Sequence, residues 1–181
     1  GITGAGRNKT FLVSAVANTP VFACQGLWYS KFSGLSFSHG SLGAGTMPAV
    51  DVDGQVGGVG VQANTWEDCS FSGAGWYDGL RGHSAFFMCR VAGNSGQGSE
   101  NMFINCHFAN ATFACLAITG YNALNNQIIG GNFQSYTKHG IYLQFGSMHV
   151  IGVGFQSTSG ITQIDNEGWD ISASAGGVGD G

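Results

Sequence analysis

Residues 103–108 read Phe103-Ile104-Asn105-Cys106-His107-Phe108, and residues 66–71 read Trp66-Glu67-Asp68-Cys69-Ser70-Phe71. The two hexapeptides share a bulky apolar start, a turn-forming third residue, a cysteine and a closing phenylalanine. The same frame fits Phe32 to Phe37, Ile128 to Phe133 and Val150 to Phe155. Five segments therefore align on Phe37, Phe71, Phe108, Phe133 and Phe155. Three residues before each phenylalanine stand Gly34, Asp68, Asn105, Gly130 and Gly152; two before stand Leu35, Cys69, Cys106, Gly131 and Val153. Successive phenylalanines are 34, 37, 25 and 22 residues apart. Such variation suits a solenoid, whose insertions enter the loops while the strands keep register.

A second strand-like run lies between the marked segments: Val59-Gly60-Val61, Phe86-Phe87-Met88-Cys89, Phe113 to Ile118, and Ile141-Tyr142-Leu143. None of the intervals has room for a crossover helix, and no helical period is visible. Strands are thus expected to pair between successive repeats, in parallel, with the phenylalanines stacked and Cys69 near Cys106. Ser38 to Gly54, Gly73 to Gly82 and Gly93 to Gly98 read as loops. The fold class expected is all-β, a parallel β-helix over residues 1–164, with an irregular tail or linker over 165–181.

Composition agrees. Apolar residues make up 43% of the 181, enough for a core,. Charged residues make up only 9%, against roughly 25% in ordinary domains,. The 32 glycines and two prolines suit many short strands joined by turns, and 13 Phe with 4 Trp and 5 Tyr exclude a disordered linker,. A net charge of −4 with six Lys plus Arg argues against a nucleic-acid partner,. No apolar run approaches the roughly 18 residues of a membrane span, and residues 1–9 lack the apolar segment of a signal peptide. The cysteines number five, at 24, 69, 89, 106 and 115, without zinc-site spacing,. They read as buried thiols, in keeping with assembly in a reducing cytosol. No metal or cofactor is implied.

The stretch Ile2-Thr3-Gly4-Ala5-Gly6-Arg7-Asn8-Lys9-Thr10-Phe11-Leu12-Val13 resembles an early coil of the pectate-lyase-like right-handed β-helices, and Phe32 to Phe37 looks like the strand that follows. The resemblance covers the chain to about Thr158. It implies a coil preceded by a capping segment, so the chain is expected to be N-terminally truncated. With this low charge and Ser/Asn/Gly-rich coils, the chain is most similar to phage tailspike and appendage proteins. That resemblance implies a homotrimer in the virion tail, assembled in the host cytoplasm, that binds bacterial surface polysaccharide. Four residues before the marked phenylalanines stand Ser33, Glu67, Ile104, Ile129 and Ile151; the three isoleucines form an exposed apolar stripe if they face outward, and core if they face inward,.

Chemistry must come from the site, not the fold. The densest candidate is Trp76-Tyr77-Asp78-Gly79-Leu80-Arg81-Gly82-His83, which combines aromatic faces, a carboxylate and two cationic types. Glycoside hydrolysis needs two carboxyl groups, and Glu67, Asp78 and Glu100 are the candidates. Trp76, Tyr77, Arg81, His83, Trp28 and Tyr29 are candidates for holding sugar; alternatively Trp76 and Tyr77 cover the loop's own core, Asp78 and Arg81 form a surface ion pair, and Trp28 and Tyr29 fill the first coil. Asp68 reads as a turn residue. Three expectations follow: a glycan-binding tailspike with depolymerase activity left open, a free polysaccharide lyase, hydrolase or epimerase, and a non-catalytic shaft or adhesin.

Overall fold

The computed structural model describes residues 1–14, 16, 19–38, 48–53, 60–73, 84–88, 98–111, 114–118, 123–136, 139–143, 146–156, 162–166 and 171–174; at residues 53, 84–88, 162–166 and 171–174 only the backbone is described. Every pair of strands among them is parallel. The first sheet stacks Ile2–Thr3, Lys31–Ser33, Thr65–Glu67, Met102–Ile104, Asn126–Ile129, Met148–Ile151 and Ile171–Ser174. The second stacks Phe11–Val13, Ser36–Ser38, Ser70–Ser72, His107–Ala111, Asn132–Tyr136 and Gly154–Gln156. The third stacks Phe22–Gln25, Val50–Asp53, Ser84–Met88, Ala114–Ile118, His139–Leu143 and Thr162–Asn166. A small fourth sheet pairs Leu27–Trp28 with Val61–Gln62. The chain visits the first, second and third sheets in that order, again and again, with no helix among the described residues. This arrangement is compatible with a β-helix-like solenoid.

Register follows the sequence alignment. Phe71 pairs with Phe37 and Phe108, Phe133 with Phe108 and Phe155. Their rings stack face on face, with centroids 5.4, 4.9, 4.5 and 5.2 Å apart from Phe37 down to Phe155. In the first sheet Phe32 stacks on Trp66 at 4.0 Å, and Phe103, Ile128 and Val150 continue that inward column. Every member of the two columns is buried except Phe155, which is half-buried. Truncating one such ring to alanine typically costs about 3–5 kcal/mol.

What reads as one marked strand is two. The residue three before each phenylalanine is left-handed in every repeat: Gly34, Asp68, Asn105, Gly130 and Gly152 have φ of 64°, 48°, 50°, 65° and 62°. This left-handed residue, followed at Gly130 by a second in Gly131 (φ 85°), turns the chain from the first sheet into the second, and its amide joins the next coil: Gly34 N donates to Glu67 O, Asp68 N to Ile104 O, Asn105 N to Ile129 O. Gly, Asp and Asn are the types that tolerate this conformation. The first coil replaces this tight turn with residues 4–10. There Arg7 reaches along the turn column, its Nη1 donating to Asn105 O at 3.0 Å with Nε 3.7 Å from Asp68.

Two expectations change. Val50–Asp53, inside the expected loop 38–54, is a strand of the third sheet. The tail expected to be irregular from residue 165 continues the pattern: Thr162–Asn166 pairs with His139–Leu143, and Ile171–Ser174 with Met148–Ile151. Neither segment carries the marking phenylalanine, so the alignment passed over them. The expected loops 93–98 and 74–82 lie outside the described residues, apart from Gly98.

The ambiguous isoleucine stripe faces outward. Phe103, Ile128 and Val150 are buried while their successors Ile104 and Ile129 are half-buried and Ile151 is 42% exposed. Cys69, Cys106 and Cys115 are buried free thiols and Cys24 is a half-buried one. Burial pushes the Cys24 thiol up to about 11, with the Asp51 carboxylate adding to the rise; burial raises the other three as well.

Candidate functional site

The chain re-enters the first sheet through a second column of turns, eight residues before the marked phenylalanines. Tyr29, Ala63, Glu100 and Asn125 occupy it, with φ of 49°, 54°, 60° and 56°. Their amides bridge successive coils: Tyr29 N donates to Gln62 O, Ala63 N to Ser99 O, Glu100 N to Leu124 O.

Beneath this ridge runs a buried amide ladder. Ser30 N donates to Asn64 Oδ1 at 3.0 Å; the Asn64 amide groups donate to Asn101 Oδ1, and those of Asn101 to Asn126 Oδ1, at 2.9–3.2 Å. Asn64 Nδ2 also donates to Leu27 O, and Asn101 Nδ2 to Val61 O. All three asparagines are fully buried. Asn64 and Asn101 are thus paired on both sides, which burial demands, whereas Asn126 at the end of the ladder accepts from Asn101 and leaves its Nδ2 without a partner among the described residues. The ladder fixes how the turn above it is presented. Its members stand seven residues before Phe71, Phe108 and Phe133, a constant offset that the sequence carries.

The outer side of the ridge is where sugar-binding chemistry collects. Tyr29 is 77% exposed and Trp28 50%. Trp28 is the register partner of Gln62 across the small sheet. Gln62 Nε2 donates to Glu100 Oε2 at 3.0 Å. Leu124 and Asn125 continue the exposed surface one coil on. Two aromatic faces, two side-chain amides (Gln62 and Asn125) and a carboxylate therefore lie along four successive coils, a span of about 14 Å at roughly 4.8 Å per coil.

This column departs from the rule its neighbour keeps. A left-handed conformation costs an ordinary L-residue roughly 1–2 kcal/mol. Only Asn125 is of a type suited to it. A tyrosine and a glutamate are held there although glycine or asparagine would fit the backbone better, and such local strain clusters at functional positions.

The remaining candidates are placed as follows. Glu67 lies on the outer face of the first sheet, with its carboxylate 2.6 Å from Lys31 Nζ. Glu67 is the register partner of Ile104, four residues beyond Glu100. That separates the two glutamates by roughly 13 Å of strand. They sit at opposite ends of the strands with different partners, so the structure does not bring them together as a pair. Asp68 serves the first turn column, as its sequence position implies. Trp76, Tyr77, Asp78, Arg81 and His83 lie outside the described residues. Among the described residues no group of three or more His, Cys, Asp or Glu is arranged to hold a metal ion. No protein-family model matches the chain, and neither the curated proteins nor the solved structures provide a significant match.

Proposed function

We propose that the chain is a right-handed parallel β-helix of the pectate-lyase-like kind, acting as the glycan-binding shaft of a phage tailspike or appendage. The observation that carries the proposal is the exposed Trp28 and Tyr29 beside the Gln62–Glu100 pair, all on one rigidly supported ridge. Aromatic faces cover the apolar faces of sugar rings, while the amide and carboxylate meet hydroxyl groups. A site on stacked strands needs little ordering when ligand arrives. The low charge of the chain suits a polymer of hydroxyl groups.

Association as a homotrimer is part of the same proposal. Ile104, Ile129 and Ile151 stack in register as an apolar column along three coils of the first sheet's outer face, beside Met102, Gln127 and His149, and exposed apolar surface marks interfaces. Light scattering of the full chain is expected to report three copies.

The test of binding is calorimetry against a panel of bacterial surface polysaccharides. The native chain is expected to bind at least one. Trp28→Ala is expected to weaken that affinity roughly tenfold, about 1.4 kcal/mol, without changing the unfolding midpoint. Failure of the native chain to bind any member, or unchanged affinity in Trp28→Ala, contradicts the reading.

A further inference from the structure

We infer that the ridge selects a neutral polysaccharide over an anionic one, and that Glu100, positioned by Gln62, sets this preference. The inference rests on the glycan-binding reading above and names its substrate class.

An ionised carboxylate only accepts hydrogen bonds. Gln62 Nε2 occupies one oxygen of Glu100 from the neighbouring coil and so fixes the direction of the group. The residue is exposed, which leaves its other oxygen open to a ligand. The hydroxyl groups of a neutral sugar are suitable donors. A uronate, sulfate or phosphate at the same place presents acceptors and like charge, and such a juxtaposition works against binding.

Among the described residues the positive groups lie elsewhere. Among the described residues the lysines and arginines are Arg7, Lys9 and Lys31. Arg7 is on the other turn column, where it meets Asp68 and Asn105. Lys9 is in the same loop, residues 4–10. Lys31 is the nearest to the ridge, and its ammonium is 2.6 Å from Glu67 on the outer face of the first sheet. The ridge itself offers aromatic faces, two side-chain amides and a carboxylate. Its column runs across coils, so the polymer lies along the stacking direction, from Trp28 and Tyr29 toward Asn125.

The backbone supports a selected role for Glu100. It occupies a left-handed position, φ 60°, where the following coil has Asn125 at φ 56°. Asparagine is a suitable residue for that turn, and glutamate is not. The turn therefore does not explain the carboxylate.

The experiment uses a matched pair of ligands: an anionic bacterial polysaccharide and the same polymer after chemical reduction of its carboxyl groups. Calorimetry with the native full chain is expected to give about tenfold tighter binding to the reduced, neutral polymer. Glu100→Gln keeps the length of the side chain and one acceptor oxygen, and replaces the other oxygen and the charge with an uncharged NH2 donor. It is expected to shrink the gap to about threefold or less, chiefly by gaining affinity for the anionic polymer. Raising the salt concentration is expected to narrow the native gap as well, because exposed charges are screened. Equal or tighter binding of the anionic form by the native chain overturns the inference and leaves glycan binding standing. So does a gap that Glu100→Gln does not alter. Absence of binding to either form, and to every neutral polymer of the wider panel, overturns the inference together with the function on which it rests.

Discussion

Gly34, Asp68, Asn105, Gly130 and Gly152 carry the chain out of the first sheet; Tyr29, Ala63, Glu100 and Asn125 carry it in. Both columns place a left-handed residue in each coil, with Gly131 a second one after Gly130, and both pass an amide to the next coil. In the first column every residue is of a type that the backbone prefers. In the second, three of the four are not, and the cost is borne by the buried asparagine ladder beneath. The difference separates two kinds of position. Where the residue suits the turn, the turn explains it. Where a tyrosine or a glutamate is held left-handed and exposed, the side chain needs another reason, and ligand contact supplies one.

The comparison can be broken at its foundation first. Asn101→Ala removes the central member of the ladder. Asn64 then loses the acceptor for two of its N–H groups, and the Val61 carbonyl loses its donor. Unsatisfied buried groups cost roughly 1–3 kcal/mol each, so a loss of about 3 kcal/mol in the denaturant-unfolding free energy is expected. A loss below about 1 kcal/mol contradicts the support assigned to the ladder.

Gly34→Ala probes the other column. Its Cβ meets the Gly6 nitrogen at 3.0 Å and the Gly4 carbonyl at 3.1 Å, in a left-handed conformation. The expected destabilisation is about 1–2 kcal/mol. Glycan affinity is expected to be unchanged, because this column lies away from the ridge. A parallel loss of affinity would place the binding surface there instead.

The smallest effects are those of pH, which report the core and not the ridge. Cys24, Cys69, Cys106 and Cys115 have thiol pKa values raised by burial. Above the ordinary thiol value of 9.0 the unfolded chain releases protons that the folded chain keeps. Their stabilising contribution is therefore full below pH 9 and falls as pH rises beyond it, for Cys24 through about 11,. His107 works in the opposite direction at the acid end: burial, with the Arg7 charge adding, lowers its pKa, so stability declines as pH falls below 6.5,. Unfolding midpoints measured from pH 5 to 10.5 are expected to be highest between these limits. A midpoint that rises above pH 9 contradicts the burial of the thiols.

The sequence was most readable where residue type and backbone demand coincide. The phenylalanine column stands out because large identical side chains recur at a fixed offset from Gly, Asp and Asn, which also locate the first turn. It was less readable where one left-handed residue splits what looks like a single strand. The second turn column was not legible at all, because Tyr, Ala and Glu do not announce a left-handed backbone. Trp28, Tyr29 and Glu100 were individually visible as sugar-binding or catalytic types, yet their meeting depends on register across coils of unequal length. Asn64, Asn101 and Asn126 did leave a signal, a constant seven-residue offset, but it emerges only once the phenylalanines are aligned. The strands Thr162–Asn166 and Ile171–Ser174 escaped because nothing in them repeats that marker.

Tyr29→Gly tests most directly whether the ridge is strained for the sake of binding. Unfolding free energy and affinity for the bound polysaccharide are measured on the same preparation. Glycine relieves the left-handed tyrosine at φ 49°, so stability is expected to rise by about 1 kcal/mol while affinity falls roughly tenfold. A variant that is less stable, or that binds as tightly as the native chain, contradicts the account.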